Sequence, residues 1–291
     1  MPGEVITRDA GLLRGHGTYT VDASLVATTA GIVERVGKLV TVRPVKGKYV
    51  GEVGDIVVGR VKAVGSKRWL VEIAAMKDGI LHLSSVNLPG GEQRKRNYED
   101  ALHMRAFFSE GDLISAEVQS TQQDGSCSVH TRSLRYGKLE NGLLFVAPSH
   151  LVQRLKQHSV SLDCGVDVII GLNGYIWISR SRPEVLGAEA EAETIIEDRL
   201  THATTMTLPE ERLRICRVRN AIAALCSVSA GISPETIMQL YRRSEDMELP
   251  PKALLDPGLI QRMLDIPAAE DAHDESEDDT LRACKRTCTG L

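Results

Sequence analysis

The sequence predicts a multidomain β plus α/β protein: a small N-terminal β domain over 1–50, a five-stranded barrel over 51–136, an α/β domain over 137–267 and a disordered acidic tail over 268–291. Three observations predict it. Five β-type runs recur at barrel-like spacing between Gly54 and Arg132. A Gly171-Leu172-Asn173-Gly174 turn lies between two apolar strand-like runs, and strong helical periodicity begins only after it. Beyond Ala268 acidic residues replace apolar ones. A chain of 291 residues, 42% hydrophobic and 25% charged, is long enough for two or three small domains with buried cores.

β-branched residues punctuated by glycine carry the N-terminal element. Thr18 and Tyr19, Leu25 to Thr29, Gly31 to Val36 and Lys38 to Val42 read as short strands. Gly15-x-Gly17 has part of a nucleotide-loop spacing, but no buried strand precedes it, no amphipathic helix follows and the third glycine is missing. Turns in a β element are the expectation. From Gly54 the strands become regular: Gly54 to Val64, Trp69 to Ile73, Gly79 to Ser84, Asp112 to Thr121 and Ser126 to Arg132, the last two joined by an Asp124-Gly125 turn. Between the third and fourth lies an insertion, 87–110. It holds the Leu88-Pro89-Gly90-Gly91 turn, a basic Arg94-Lys95-Arg96 run and a short helix capped near Asn97.

After Leu139 the pattern turns to mixed α and β. Ser149 is expected to cap a helix running through His158, and Val166 to Ile170 pairs with Tyr175 to Ser179 about a tight Asn173-Gly174 turn, both residues tolerating positive φ. Thr207 with Glu210 makes a capping box for a helix striped by Ile215, Val218, Ile222 and Leu225. That helix ends before Gly231, Ser233-Pro234 starts another and Asp256-Pro257 a last one. Glu184, Glu189, Glu191, Glu193, Glu197 and Asp198 mark an exposed acidic insertion at 181–199.

Charge is unevenly spread. Residues 1–183 carry 23 Lys and Arg against 18 Asp and Glu, and residues 184–291 carry 12 against 21. Nucleic-acid contact is therefore expected in the first two thirds, where cations can release counterions from phosphates. No run approaches the roughly 18 apolar residues of a membrane span. The Met1-Pro2-Gly3-Glu4 start lacks a basic segment followed by an apolar one, and the six cysteines show no disulfide spacing. An intracellular protein with reduced thiols and no membrane partner is expected.

Alternation places Trp69 with Val71 and Ile73 on the core face of its strand, so its ring is expected inside the barrel. His82 alternates with Leu81 and Leu83 and points outward, where a ring stacks on a base, donates to phosphate or is simply solvated. Lys67 and Arg68 occupy the turn between the first two strands, from which barrels of this kind approach oligonucleotides. Arg132, Arg135 and Lys138 follow the last strand and, with Arg94, Lys95 and Arg96, suit a rim of phosphate-directed contacts. A solvated charged face is the competing reading. Gly171, Asn173 and Gly174 have the GxxG spacing of a KH backbone clamp. That clamp joins helices, however, and this turn joins β-type runs, so a structural role is favoured. Cys284, Cys288 and His273 do not supply four usable zinc ligands, and no Walker, H-E-x-x-H or G-x-S-x-G pattern occurs. No catalytic residue, metal site or cofactor is expected.

Longer stretches carry a specific resemblance. Arg14 to Tyr19, Tyr49 to Arg60, Leu83 to Gly91 and Arg132 to Leu139 resemble the ribosomal RNA-processing protein 4 family of RNA exosome cap subunits, over about Gly11 to Ser179. The resemblance implies an S1 (OB-fold) barrel and a KH-like α/β domain, with Gly-x-Asn-Gly serving largely as structure. It implies a non-catalytic subunit, sitting beside the other cap subunits on a ring of RNase PH-like fold. Its N-terminal domain would dock on that ring, and single-stranded RNA would be guided toward a separate 3′–5′ exonuclease in nucleus, nucleolus and cytoplasm. The 181–199 insertion and the tail depart from the family pattern. A pure scaffold and a 3′–5′ exoribonuclease are the alternatives.

Overall fold

A computed structural model describes residues 1–87, 98–181 and 204–264, apart from Ala10, Ala23, Lys46, Gln123 and Leu134. Glycine and β-branched residues lay down two small N-terminal sheets. Strands β1 (Val5–Thr7), β3 (Thr18–Val21) and β4 (Ser24–Ala27) pair in the order β1-β4-β3. Strands β2 (Leu13–Arg14), β5 (Gly31–Val36) and β6 (Leu39–Pro44) pair as β2-β6-β5. Leu25, Val26, Val40 and Val42 are buried in this element. A Cβ on Gly15 would lie 2.6 Å from the Val40 carbonyl oxygen, so the glycine serves strand contact, in keeping with the β-turn expectation.

Next comes the barrel, built of β7 (Ile56–Val64), β8 (Arg68–Glu72), β9 (Gly79–Val86), β10 (Leu113–Thr121) and β11 (Cys127–Thr131). The order β11-β9-β8-β7-β10 closes through a β10–β11 pairing. Neighbours run antiparallel except β9 and β11, which are parallel. Closure leaves the barrel no free edge, and alternation sends Val57, Val61, Trp69, Val71, Leu81, Ile114 and Val129 inward. Trp69 is fully buried, edge-on to Phe108 at 5.5 Å, and its indole Nε1 donates to the Phe108 carbonyl at 3.0 Å. This bond pins the end of the insertion, where helices α1 (Tyr98–Leu102) and α2 (Met104–Phe107) precede β10. Strand β12 (Gly137–Leu139) extends the sheet beside the start of β10.

The α/β domain has β13 (Gly142–Val146), β14 (Ser159–Leu162), β15 (Val166–Ile170) and β16 (Tyr175–Arg180) in the antiparallel order β13-β16-β15-β14. Helices α3 (Pro209–Ser227), α4 (Pro234–Asp246) and α5 (Pro257–Leu264) complete it. Val168, Ile170, Ile176 and Ile178 face the helices and meet the expected stripe of Ile215, Val218, Ile222 and Leu225. Ile169 and Trp177 face the other way and pack on Val58 of the barrel. Period-two alternation thus gives the sheet two apolar faces, one for its helices and one for its neighbour.

Two expectations fail here. Ser149 starts only a 3-10 turn, Ser149–Leu151, rather than a helix to His158. The following backbone is recruited by a distant segment: Ile232 N donates to Leu151 O at 2.8 Å, and Gln153 N to Ile232 O at 3.3 Å. The capping box expected of Thr207 and Glu210 does not form, and only the carboxylate half of such a cap is present, one residue on. Glu211 accepts from Leu208 N at 2.9 Å, while the Thr207 hydroxyl is spent on Asn141 Oδ1 at 3.1 Å. The Ser233 cap of α4 stands as expected, its Oγ accepting from Thr236 N.

Candidate nucleic-acid interface

Strand register decides which cations meet. The β7–β8 hairpin is closed by Gly65 N donating to Arg68 O at 2.8 Å, and it holds Lys67 and Arg68 in solvent. Arg68 lies directly across from His82, which is exposed on the outer face of the barrel. Thr131, the last residue of β11, is level with Val86 at the end of β9, so exposed Arg132 emerges at this same end of the barrel. Asn87 Nδ2 donates to the Arg132 carbonyl. Arg135 is exposed on the next turn, where Tyr136 N donates to Ser133 O at 3.0 Å. Lys67, Arg68, His82, Arg132 and Arg135 therefore share the end of the barrel away from the KH-like domain, each exposed. Lys138 differs. Glu140 at 2.8 Å and Asp112 at 3.4 Å both pair with its ammonium, which the Glu140 hydrogen bond raises above the usual lysine range. Burial works against the Asp112 carboxylate, yet bonds from the Ser109 N–H and hydroxyl, with Lys138, hold it below its usual range. Arg94, Lys95 and Arg96 lie outside the described residues. Exposed guanidinium and ammonium groups suit phosphate-directed contacts, which carry no sequence information.

The opposite end of the barrel is closed by the Gly171–Gly174 turn. The tight two-residue turn expected of Asn173-Gly174 does not form, because Gly174 is left-handed at φ 87° and Asn173 is not. Gly174 N donates to Gly171 O at 2.9 Å and Gly171 N to Tyr175 O at 3.0 Å, giving a three-residue loop with glycine in its left-handed position. Tertiary bonding explains the difference. Asn173, only 2% exposed, donates from Nδ2 to Val58 O at 2.7 Å and Ile73 O at 3.1 Å, and its Oδ1 accepts from Val58 N at 3.4 Å. Leu172 N donates to Ile56 O at 3.0 Å. A Cβ on Gly171 would lie 2.6 Å from the Tyr175 carbonyl oxygen and 3.0 Å from Val58 N, so the loop itself requires glycine here and the barrel backbone packs close beside it. The Asn173 side chain and the Gly171, Leu172 and Gly174 amides of the turn are all bonded to protein, not offered to a phosphate.

A second tie at this end escaped the sequence reading. Asp55, 3% exposed, accepts from the Tyr49 hydroxyl at 2.6 Å, from Glu52 N at 3.0 Å and from Arg154 Nη2 at 3.1 Å. Arg154 also reaches Glu52 at 2.8 Å. Burial, then the hydrogen bond to Asp55, pushes the Tyr49 hydroxyl far above the tyrosine range. The uneven charge of the chain also changes scale. Residues 204–264 carry 8 Lys and Arg against 7 Asp and Glu, so the acidic excess belongs to residues outside those described. Among the described residues no group of three or more His, Cys, Asp or Glu could hold a metal ion.

Comparison with known proteins agrees with this architecture. Residues 1–36 match the family described as the N-terminal region of exosome complex exonuclease RRP4, residues 48–120 the RRP4 S1 domain and residues 142–184 a KH domain. The chain is 44% identical to Exosome complex component rrp4 of Schizosaccharomyces pombe over 250 residues, covering 84% of this chain and 75% of that protein. It is 44% identical to Exosome complex component RRP4 of Bos taurus over 264 residues, 91% of this chain and 87% of that one. Identity to the Saccharomyces cerevisiae RRP4 is 41% over 270 residues, covering 84% and 75%. Three domains in the right order and identity above 40% across most of the length place the chain in one family: it belongs to the exosome component RRP4 family.

Proposed function

We propose that this chain is a non-catalytic, RNA-binding cap subunit of the RNA exosome. It stabilises a ring of RNase PH-like subunits together with the other cap subunits and guides single-stranded RNA into their channel for 3′–5′ degradation and processing. One observation carries the reading: the barrel end away from the KH-like domain gathers the exposed side chains of Lys67, Arg68, His82, Arg132 and Arg135, whereas the other end is consumed by that domain. Such a surface holds a polyanion by counterion release and leaves its bonds intact. The N-terminal element supports docking. Ile32, Val36 and Leu39 on its β5–β6 hairpin are 67%, 74% and 41% exposed, an apolar surface suited to a protein neighbour. Nucleus, nucleolus and cytoplasm are the proposed sites of action, and no described helix is long and apolar enough to cross a membrane.

Reversing the charge of Lys67, Arg68, Arg135 and Lys138 in the assembled complex tests the guiding role. RNA affinity should drop by at least about tenfold, and the slope of log affinity against log salt should shrink by about 2, near 0.7 for each of Lys67, Arg68 and Arg135 on a single strand, Lys138 being already paired. Unchanged affinity would establish the pure scaffold instead. Shortening of labelled RNA by the purified chain with Mg²⁺ would establish a nuclease.

A further inference from the structure

Between β11 and β12, three separate contacts tie Arg132, Ser133, Arg135 and Tyr136 to one another and to the barrel. The turn here is closed by Tyr136 N donating to Ser133 O at 3.0 Å, and Ser133 Oγ accepts from Arg135 N at 3.3 Å. Asn87 at the end of β9 donates to the carbonyl of Arg132. The third contact is a side chain folded back onto the barrel wall. The Tyr136 ring meets the His130 ring edge-on, centroids 6.3 Å apart at 68°. The Tyr136 hydroxyl is hydrogen-bonded to the Glu117 carboxylate; burial first and this bond second push it up to about 12. Glu117 and His130 are themselves cross-strand partners on β10 and β11, with His130 Nε2 3.9 Å from the carboxylate. The arginines between His130 and this anchor, Arg132 and Arg135, stay in solvent.

We infer that Tyr136, seated on Glu117 and His130, is a positioning residue that holds Arg132 and Arg135 as a preformed two-point grip for successive RNA phosphates. The inference rests on the proposed RNA-guiding role of the barrel end away from the KH-like domain. An arginine has about 2 kcal/mol of rotamer entropy to lose on binding, and a backbone that also had to be ordered would add more. Fixing the turn beforehand removes the backbone part of that cost, so the anchor contributes to affinity without touching RNA. Tyr136 bonds to the outer wall through a ring and one hydroxyl, which suits an element that must stay put while the residues beside it stay exposed.

The test is a set of substitutions in the full chain, read as affinity and salt slope for single-stranded polyuridine RNA, with a denaturant midpoint for each variant. Tyr136→Ala should weaken binding by at least about threefold and reduce the salt slope by about 1. Tyr136→Phe, which keeps the ring on His130 but loses the Glu117 bond, should fall between it and the parent, and Glu117→Ala should match Tyr136→Phe. The decisive arm is a cycle. In an Arg132→Ala, Arg135→Ala background the Tyr136→Ala effect should vanish, since the residue has nothing left to position. A Tyr136→Ala effect that persists there, or parental affinity in Tyr136→Ala while the arginine variants bind weakly, overturns the anchor. If Arg132→Glu with Arg135→Glu binds like the parent, the reading of that barrel end fails instead, and the two failures are distinguishable. Should Tyr136→Ala unfold, Glu117→Ala carries the same cycle.

Discussion

The end of the barrel where β7 begins and the end where it finishes are made by the same five strands, and they do opposite things with polar groups. At the first, Asn173 and Asp55 are buried and each satisfies several partners, so removing either leaves bonded groups stranded. At the second, Lys67, Arg68, His82, Arg132 and Arg135 are exposed and cost the fold little. Polar residues placed where water is excluded build structure, and the same chemistry left in water is free to bind. Substitutions should therefore split cleanly into those that unfold and those that release RNA.

The largest effect is expected at the buried end. Asn173→Ala strands the Val58 and Ile73 carbonyls and should cost about 3 kcal/mol in chemical denaturation, while proteolysis should show the barrel and the KH-like domain coming apart. Asp55→Ala leaves the Tyr49 hydroxyl and the Glu52 amide unpaired; about 2 kcal/mol is expected, and Asp55→Asn should recover part of it. Tyrosine titration compares both ends at once. Burial and then a carboxylate raise Tyr49, and they raise Tyr136 from 10.0 to about 12. A hydroxyl raised on folding contributes stability that is complete below its unfolded value and is lost as pH climbs through the folded one. The denaturant midpoint should fall as pH rises from about 10 to 12, with Tyr136 forming phenolate before Tyr49 in an ultraviolet titration. A single-step tyrosine titration at the unperturbed value would remove both contacts from the account. The smallest effect is expected of Lys138→Gln. Its charge already answers Glu140 and Asp112, so RNA affinity should change by less than about twofold, within the range of surface ion pairs.

Much of this was legible residue by residue. Trp69 inside and His82 outside follow from alternation, because a strand has only two faces and the neighbours of each residue declare which is apolar. The α3 stripe follows from helical period in the same way. The α3 cap slipped by one position, since Thr207 and Leu208 both precede the helix and the choice depended on Asn141, far away in sequence. Ser149 failed for a related reason, its helix displaced by backbone bonds to Ile232. Nothing near Tyr136 announced an anchor: Glu117 and His130 are brought beneath it by the β10–β11 register.

Local pattern determined the elements, the order of the domains and the sign of the charge along the chain, because period, propensity and composition act over a few residues and need no partner. Only the folded molecule decided that Asn173 faces Val58, that Asp55 meets Arg154 and that Lys138 is neutralised while Arg132 and Arg135 are not. Each of those outcomes depends on which distant groups arrive within about 3 Å of one another, the range over which a hydrogen bond forms. That is set by strand register and domain docking.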